Sequence, residues 1–100
     1  MNLYEAIAEP NRRRIIELVG DRERTAGDIV EALEISQPGV SKHLRILREA
    51  GLVSVRKDAQ RRVYRLEPDK LAELDAWLAP YRKFWSGKLD ALVDHLMQES

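Results

Sequence analysis

Gln37, Ser41, Lys42, His43, Arg45 and Arg48 crowd into one stretch, SQPGVSKHLRILREAG, at residues 36–51. An amide, a hydroxyl, an imidazole and three cations form a set of hydrogen-bonding groups with excess positive charge. Side chains of these types can read base edges in a major groove and hold phosphates. They do not make a catalyst. Paired carboxylates, a nucleophile beside a base and a glycine-rich phosphate loop are all missing from the chain, so no enzyme is expected. The competing interpretation is an amphipathic helix whose polar face simply meets water.

The element that must carry these groups is a helix. Ser36 is a good N-cap, and Pro38 falls in the first turn, where its missing N–H is harmless. Val40, Leu44 and Leu47 follow at spacings of four and three, which gives the helix one buried stripe. Gly51 ends it, as the residue that tolerates a left-handed C′ conformation.

Charge points to the same region. The whole chain balances 17 basic against 17 acidic residues, yet residues 36–66 hold eight basic and two acidic side chains. That segment is +6, and each flank is −3. The middle third is thus an electrostatic footprint hidden in the total. With no cysteine, neither a disulfide framework nor a thiolate metal site is available. No apolar run approaches the ~20 residues of a membrane span, and MNLYEAIAEP lacks the pattern of a secretory leader. A cytoplasmic protein with no membrane partner is expected.

Upstream, Asn2–Ala8 reads as a short capped helix, and Pro10–Val19 as a second one closed by Gly20. Arg12, Arg13 and Arg14 stand near the start of the latter, where the helix dipole disfavours cations. They require either carboxylate partners or a phosphate backbone. Asp21–Arg24 reads as a polar turn, and Thr25 with Asp28 makes a capping-box-like start for a third helix ending near Leu33. A short helix, a tight turn at Glu34–Ile35 and the polar helix 36–50 form a helix-turn-helix. Downstream, Leu52–Arg56 and Arg62–Leu66 read as strands of a hairpin joined by Asp58–Arg61, without the Asn-Gly signal that would set its register. The fold expected is mainly α with a small β-hairpin (α+β), a winged helix-turn-helix. Its basic wing, 57–62, offers Lys57, Arg61 and Arg62 to phosphates or a minor groove, or serves only to protect a sheet edge.

From Pro68 a long helical tail follows, with Leu71, Leu74, Leu78, Tyr81, Trp85, Leu89, Leu92 and Leu96 as a heptad-like seam. Pro80 should kink or break it near Ala79. The tail holds both tryptophans and the only phenylalanine, more apolar surface than one small domain can cover. A two-fold dimer would use it through Leu3, Leu74, Leu78, Tyr81, Trp85, Leu89, Leu92 and Leu96; alternatively the tail folds back on its own chain. The 100 residues are expected to form a single domain, with head 1–67 and dimerisation helix 68–100.

PNRRRIIELV, followed by SQPGVSKHLRILREAGLVSVRKDAQRRVYRL, resembles the ArsR family of winged-helix repressors over nearly the whole chain. The resemblance implies a homodimer, joined by its first and last helices, that binds a partly palindromic operator in double-stranded DNA and represses transcription. By motif position it assigns Gln37, Ser41, Lys42, His43 and Arg45 to the recognition helix, beside the cap Ser36, and Arg61 and Arg62 to the wing. Arg45 and Gln37 would read bases; Lys42, His43, Arg61 and Arg62 would mainly hold phosphates. Metal-sensing members carry a cysteine pair before the recognition helix or Asp and His ligands on the last helix. Here the early stretch is Arg24-Thr25-Ala26-Gly27-Asp28, without a thiol. His95 has Glu99 four residues on, but two ligands do not make a cage. A non-metal branch with no cofactor is the expectation, and no residue names an effector. The alternative function is a winged-helix protein-interaction module, which an acidic partner surface would suit.

Overall fold

Helices as short as five to thirteen residues leave many terminal amides and carbonyls without intrahelical partners, so each end needs closing. The computed structural model describes residues 1–99, apart from the side chains of residues 86, 88, 89, 90, 93 and 99. It shows how the ends are met. Helix α1 (Leu3–Ile7) opens on a capping box between Asn2 and Glu5, and α3 (Ala26–Leu33) on another between Thr25 and Asp28. Between them, α2 (Pro10–Asp21) starts with the Glu9 carboxylate accepting the Arg12 N–H at 2.9 Å. It does not stop at Gly20. Arg24 Nε donates to the Leu18 carbonyl at 3.1 Å, and its Nη2 pairs with Asp21 at 3.3 Å, so the last turn is closed from outside.

Among the described residues the three successive arginines take backbone carbonyls, not the carboxylates that were one of their expected partners. Arg12 Nε donates to the Ala6 carbonyl at 2.6 Å, and Arg13 Nη1 to the Ile7 and Ala8 carbonyls at 2.9 and 3.1 Å. Arg14 Nη2 reaches the Ala32 carbonyl at 3.4 Å. Their cations thus sit on the carbonyl ends of α1 and α3, where the dipole favours positive charge. The sequence could not show this, because the helix being capped is never the helix that carries the arginine.

Glu34, in the left-handed region at φ 56°, turns α3 into α4 (Gln37–Glu49). Strands β2 (Val53–Asp58) and β3 (Arg61–Leu66) follow, and with β1 (Arg24–Thr25) they form an antiparallel sheet ordered β1-β3-β2. Two expectations are corrected here. The polar turn before α3 contributes a third strand, Arg24 pairing with Tyr64 and Thr25 with Val63. The wing tip is not a four-residue connection: Asp58 pairs directly with Arg61, leaving only Ala59 and Gln60 between strands. Ala59 supplies the positive φ, 57°, that so short a hairpin loop requires.

Ile15, Ile29, Val40, Leu44, Leu47 and Leu52 form the fully buried centre, drawn from α2, α3, α4 and the start of the wing. The predicted stripe of α4 is therefore the one that packs. The tail divides where Pro80 was expected to divide it, into α5 (Pro68–Leu78), a 3-10 turn (Ala79–Tyr81) and α6 (Arg82–Glu99). Arg82 and Asp75 pair across the break. Leu71 and Leu74 pack against the core, whereas among the described residues α6 contributes nothing to it. The molecule measures 57 × 29 × 21 Å with a radius of gyration of 17.4 Å; about 13 Å is usual for a compact chain of this length. The tail projects. No helix among the described residues is long and apolar enough to cross a membrane.

Gly51, φ 77°, closes α4 in a Schellman motif: its N–H donates to the Arg48 carbonyl at 3.0 Å, and that of Leu52 to the Leu47 carbonyl at 2.9 Å. A Cβ here would lie 3.2 Å from Cγ and Cε of Lys70, on a backbone that disfavours any side chain. We expect Gly51→Ala to lower the unfolding free energy by about 1–2 kcal/mol in urea titration. Gly20→Ala should act oppositely, raising it by about 0.5 kcal/mol. At Gly20 the backbone is helical and a new methyl would meet only Leu66 Cδ2, at 3.7 Å.

Candidate nucleic-acid interface

The cap of α4 forms as its residues dictate, with the Ser36 hydroxyl accepting the Gly39 N–H at 3.2 Å and Pro38 in the first turn. With Val40, Leu44 and Leu47 turned inward, the 3.6-residue period sends Gln37, Pro38, Ser41, Lys42, Arg45 and Arg48 to the exposed side. Pro38, Ser41, Lys42 and Arg45 line one shallow concavity of about 380 Å³ along that face. The polar and cationic row expected from the sequence is thus continuous and open to solvent.

His43 is placed apart from that row. Its side chain is only 17% exposed, with Nδ1 3.4 Å from Arg12 Nη1 and 3.8 Å from Glu9 Oε2. Ile46, three residues on, is buried on the same edge. The buried stripe of α4 is therefore wider than the sequence suggested, because the α1–α2 junction covers a second side of the helix.

The wing sorts its cations by partner. Arg56 Nη2 donates to Glu23 at 2.8 Å, and Arg65 Nε to Glu67 at 3.2 Å. Arg61 lies 3.8 Å from Asp58 with both side chains mostly exposed, a loose pair that leaves it available. Lys57 and Arg62 have no ion pair among the described residues, and they stand directly opposite each other across β2 and β3. Like charges in that position destabilise a sheet. An arrangement that keeps them there leaves room for an anion between. Val55, Arg56, Lys57 and Arg62 share an open groove of about 230 Å³ with Arg48 from α4. The sequence placed Arg48 on the polar face of α4, three residues beyond Arg45 and seven beyond Ser41, and Lys57 on the wing that could reach phosphates; what it did not show is that Arg48 approaches the wing.

Of the cations on α4 and the wing, Lys42, Arg45, Arg48, Lys57 and Arg62 therefore remain without carboxylate partners among the described residues. Neighbouring carboxylates are held in the charged form. Hydrogen bonding from Arg56 lowers the pKa of Glu23. The Ser54 hydroxyl, at 2.6 Å, and then Arg65 lower that of Glu67. The Thr25 amide lowers that of Asp28. Among the described residues no group of three or more His, Cys, Asp or Glu side chains could hold a metal ion.

The other large surface feature is apolar and lies on α1 and the tail. Tyr4 on α1 meets Trp77 edge-on, with ring centroids 6.0 Å apart, and Trp77 meets Tyr81 at 5.4 Å. Tyr81, Phe84, Trp85, Leu92 and Leu96 continue exposed along the tail. Of the other side chains expected at a dimer interface, Leu3 is in the chain's own core, and Leu74 and Leu78 are half-buried. The side chain of Leu89 lies outside the described residues.

Comparison with known proteins gives this geometry a context. The model of bacterial regulatory proteins of the arsR family matches residues 9–55. The transcriptional repressor SdpR of Bacillus subtilis is 38% identical over 77 residues, covering 77% of this chain and 86% of that protein. The HTH-type transcriptional regulator Rv2034 of Mycobacterium tuberculosis is 37% identical over 86 residues, 86% of this chain and 78% of that one. A crystal structure of a possible transcriptional regulator for arsenical resistance superposes with a TM-score of 0.73 at 41% identity, over 95% of this chain and 96% of the other.

The lowered carboxylates make stability depend on acid. Each folded-state pKa lies below its ordinary value, 4.5 for Glu23 and Glu67, so the folded state binds fewer protons than the unfolded one. Their contribution is present in full above that range and disappears as pH falls through the folded values. Denaturant titrations stepped down in pH should show stability declining across this window. Glu67→Gln should flatten the decline, and an unchanged slope would remove Glu67 from the account.

Proposed function

The chain belongs to the ArsR family of bacterial regulatory proteins, and on that footing we propose that it is a homodimeric repressor reading a partly palindromic operator. It is a DNA-binding transcriptional regulator, of a class that performs no catalysis. In this reading α4, residues 36–50, enters the major groove, with Arg45, Gln37 and Ser41 towards base edges and Lys42 towards phosphate. The wing, 57–62, lies on the adjacent backbone, with Arg61 beside the facing pair Lys57 and Arg62. Arg48 joins them from the end of α4. The observation that carries the assignment is the opposition of Lys57 and Arg62 within a groove that Arg48 completes. Three unneutralised cations in one concavity suit a phosphate of the strand that runs between the two grooves.

The second part of the proposal is the pairing. Tyr4, Trp77, Tyr81, Phe84, Trp85, Leu92 and Leu96 leave an apolar face on α1 and the tail, which a second copy would cover. To read a palindrome, such a dimer must hold its two recognition helices about 34 Å apart, one turn of DNA. The residues would act as one unit, head 1–67 and tail 68–100, in the cytoplasm where the chromosome is. The chain has no cysteine, so the thiolate sites of metal-sensing members cannot form here.

Binding measured across a salt series tests the division of labour. Arg62→Ala and Lys57→Ala should weaken binding to every duplex and reduce the slope of log K against log salt by about 1 each. Arg45→Ala should cost about 1–3 kcal/mol on a selected duplex and far less on mixed sequence. Equal losses on both duplexes for all three variants would overturn the assignment. Leu92→Glu should shift the sedimenting species towards monomer and weaken DNA binding with it.

A further inference from the structure

Among the described residues Arg12 is the one buried charged side chain, 8% exposed, and its bonds join two elements with different tasks. On one side its Nε and Nη2 donate to the Ala6 and Glu5 carbonyls, at 2.6 and 3.3 Å, closing the end of α1. On the other its Nη1 lies 3.4 Å from Nδ1 of His43, on α4. A guanidinium has only donors, so this bond requires a lone pair on Nδ1 and places the ring proton of His43 on Nε2. Glu9 Oε2, 3.8 Å from Nδ1, is beyond hydrogen-bond distance and already accepts the Arg12 N–H at 2.9 Å.

We infer that Arg12 and His43 form a strut fixing the recognition helix to α1, and that His43 is a positioning residue instead of a phosphate ligand. The inference rests on the DNA-reading function proposed above. Helix α1 also bears Tyr4, which packs on Trp77 of the tail, so the strut runs from the face that meets a second copy to the helix that meets DNA. In a two-fold dimer the separation and tilt of the two recognition helices depend on how rigidly each is held to that face. Hydrophobic packing of Val40, Leu44 and Leu47 tolerates small rotations of α4. A hydrogen bond to a buried guanidinium is directional and does not.

The test compares His43→Asn, whose carbonyl oxygen can replace Nδ1 as acceptor, with His43→Leu, which leaves Arg12 Nη1 unmatched. The probes are a duplex selected from a random pool with the wild-type protein, and a mixed-sequence duplex, each across a salt series. His43→Leu should lose about tenfold on the selected duplex, while His43→Asn stays within about threefold of wild type. Neither should change the salt slope. A slope reduced by about 1 in both variants, with equal losses, would make His43 a phosphate ligand and overturn the strut. Wild-type affinity in His43→Leu would overturn it as well. A wild-type protein that selects no duplex would instead refute the DNA reading itself. Should His43→Leu not fold, nitrogen NMR of wild-type His43 in mildly alkaline solution decides: a proton held wholly on Nε2 supports the strut, and a proton on Nδ1 or the tautomer mixture of a free imidazole overturns it.

Discussion

Carbonyl groups left open at the ends of short helices are the constraint on which this structure depends. The chain meets it with arginine. Arg12 and Arg13 close α1, Arg14 closes α3, and Arg24 closes α2. Each bond crosses from one element to another, so the act of satisfying a helix end also fixes where that end lies. Helix α1 has five residues and could not persist alone. It is held by Leu3 and Ala6 in the core and by two guanidinium groups on its last carbonyls.

The same residue type does opposite work in the second half of the chain. There the acidic residues of the flanks divide the arginines into those that hold the fold and those that remain open. Glu23 takes Arg56 and Glu67 takes Arg65, which anchors the root and outer edge of the wing. Lys57, Arg62 and Arg48 are left facing a common groove, and Lys42 and Arg45 face outward from α4. A net charge of zero is therefore compatible with a concentrated positive surface. The acidic flanks do not cancel the footprint; they lie elsewhere or engage its structural members.

In the tail the balance of burial changes along one direction. Leu71 and Leu74 pack on the core, the 3-10 turn at Pro80 redirects the chain, and the aromatics beyond it lie exposed. Tyr4 and Trp77 bridge α1 and α5 at the edge of that apolar face, continuous with the end of α1 that Arg12 holds. Packing in the head and the exposed face of the tail are thus joined through Leu71 and Leu74 on the core and through the helix α1 that Arg12 closes.

Local rules were enough to read much of this from residues alone. Ser36, Thr25 and Asn2 cap as their types predict, Val40, Leu44 and Leu47 face inward by period, and Pro80 breaks the tail, because each outcome is decided within four residues of the chain. The helix-turn-helix and wing, and the exposed row from Gln37 to Arg45, were legible for the same reason. What only the tertiary structure decided involves partners far apart in sequence: which carbonyls the arginines close, that Arg24–Thr25 completes the sheet, that Arg48 meets the wing, and that His43 turns to Arg12, 31 residues away. Side-chain type announces that a hydrogen bond or charge must be satisfied. Only the packing of the helices determines which group is near enough to satisfy it.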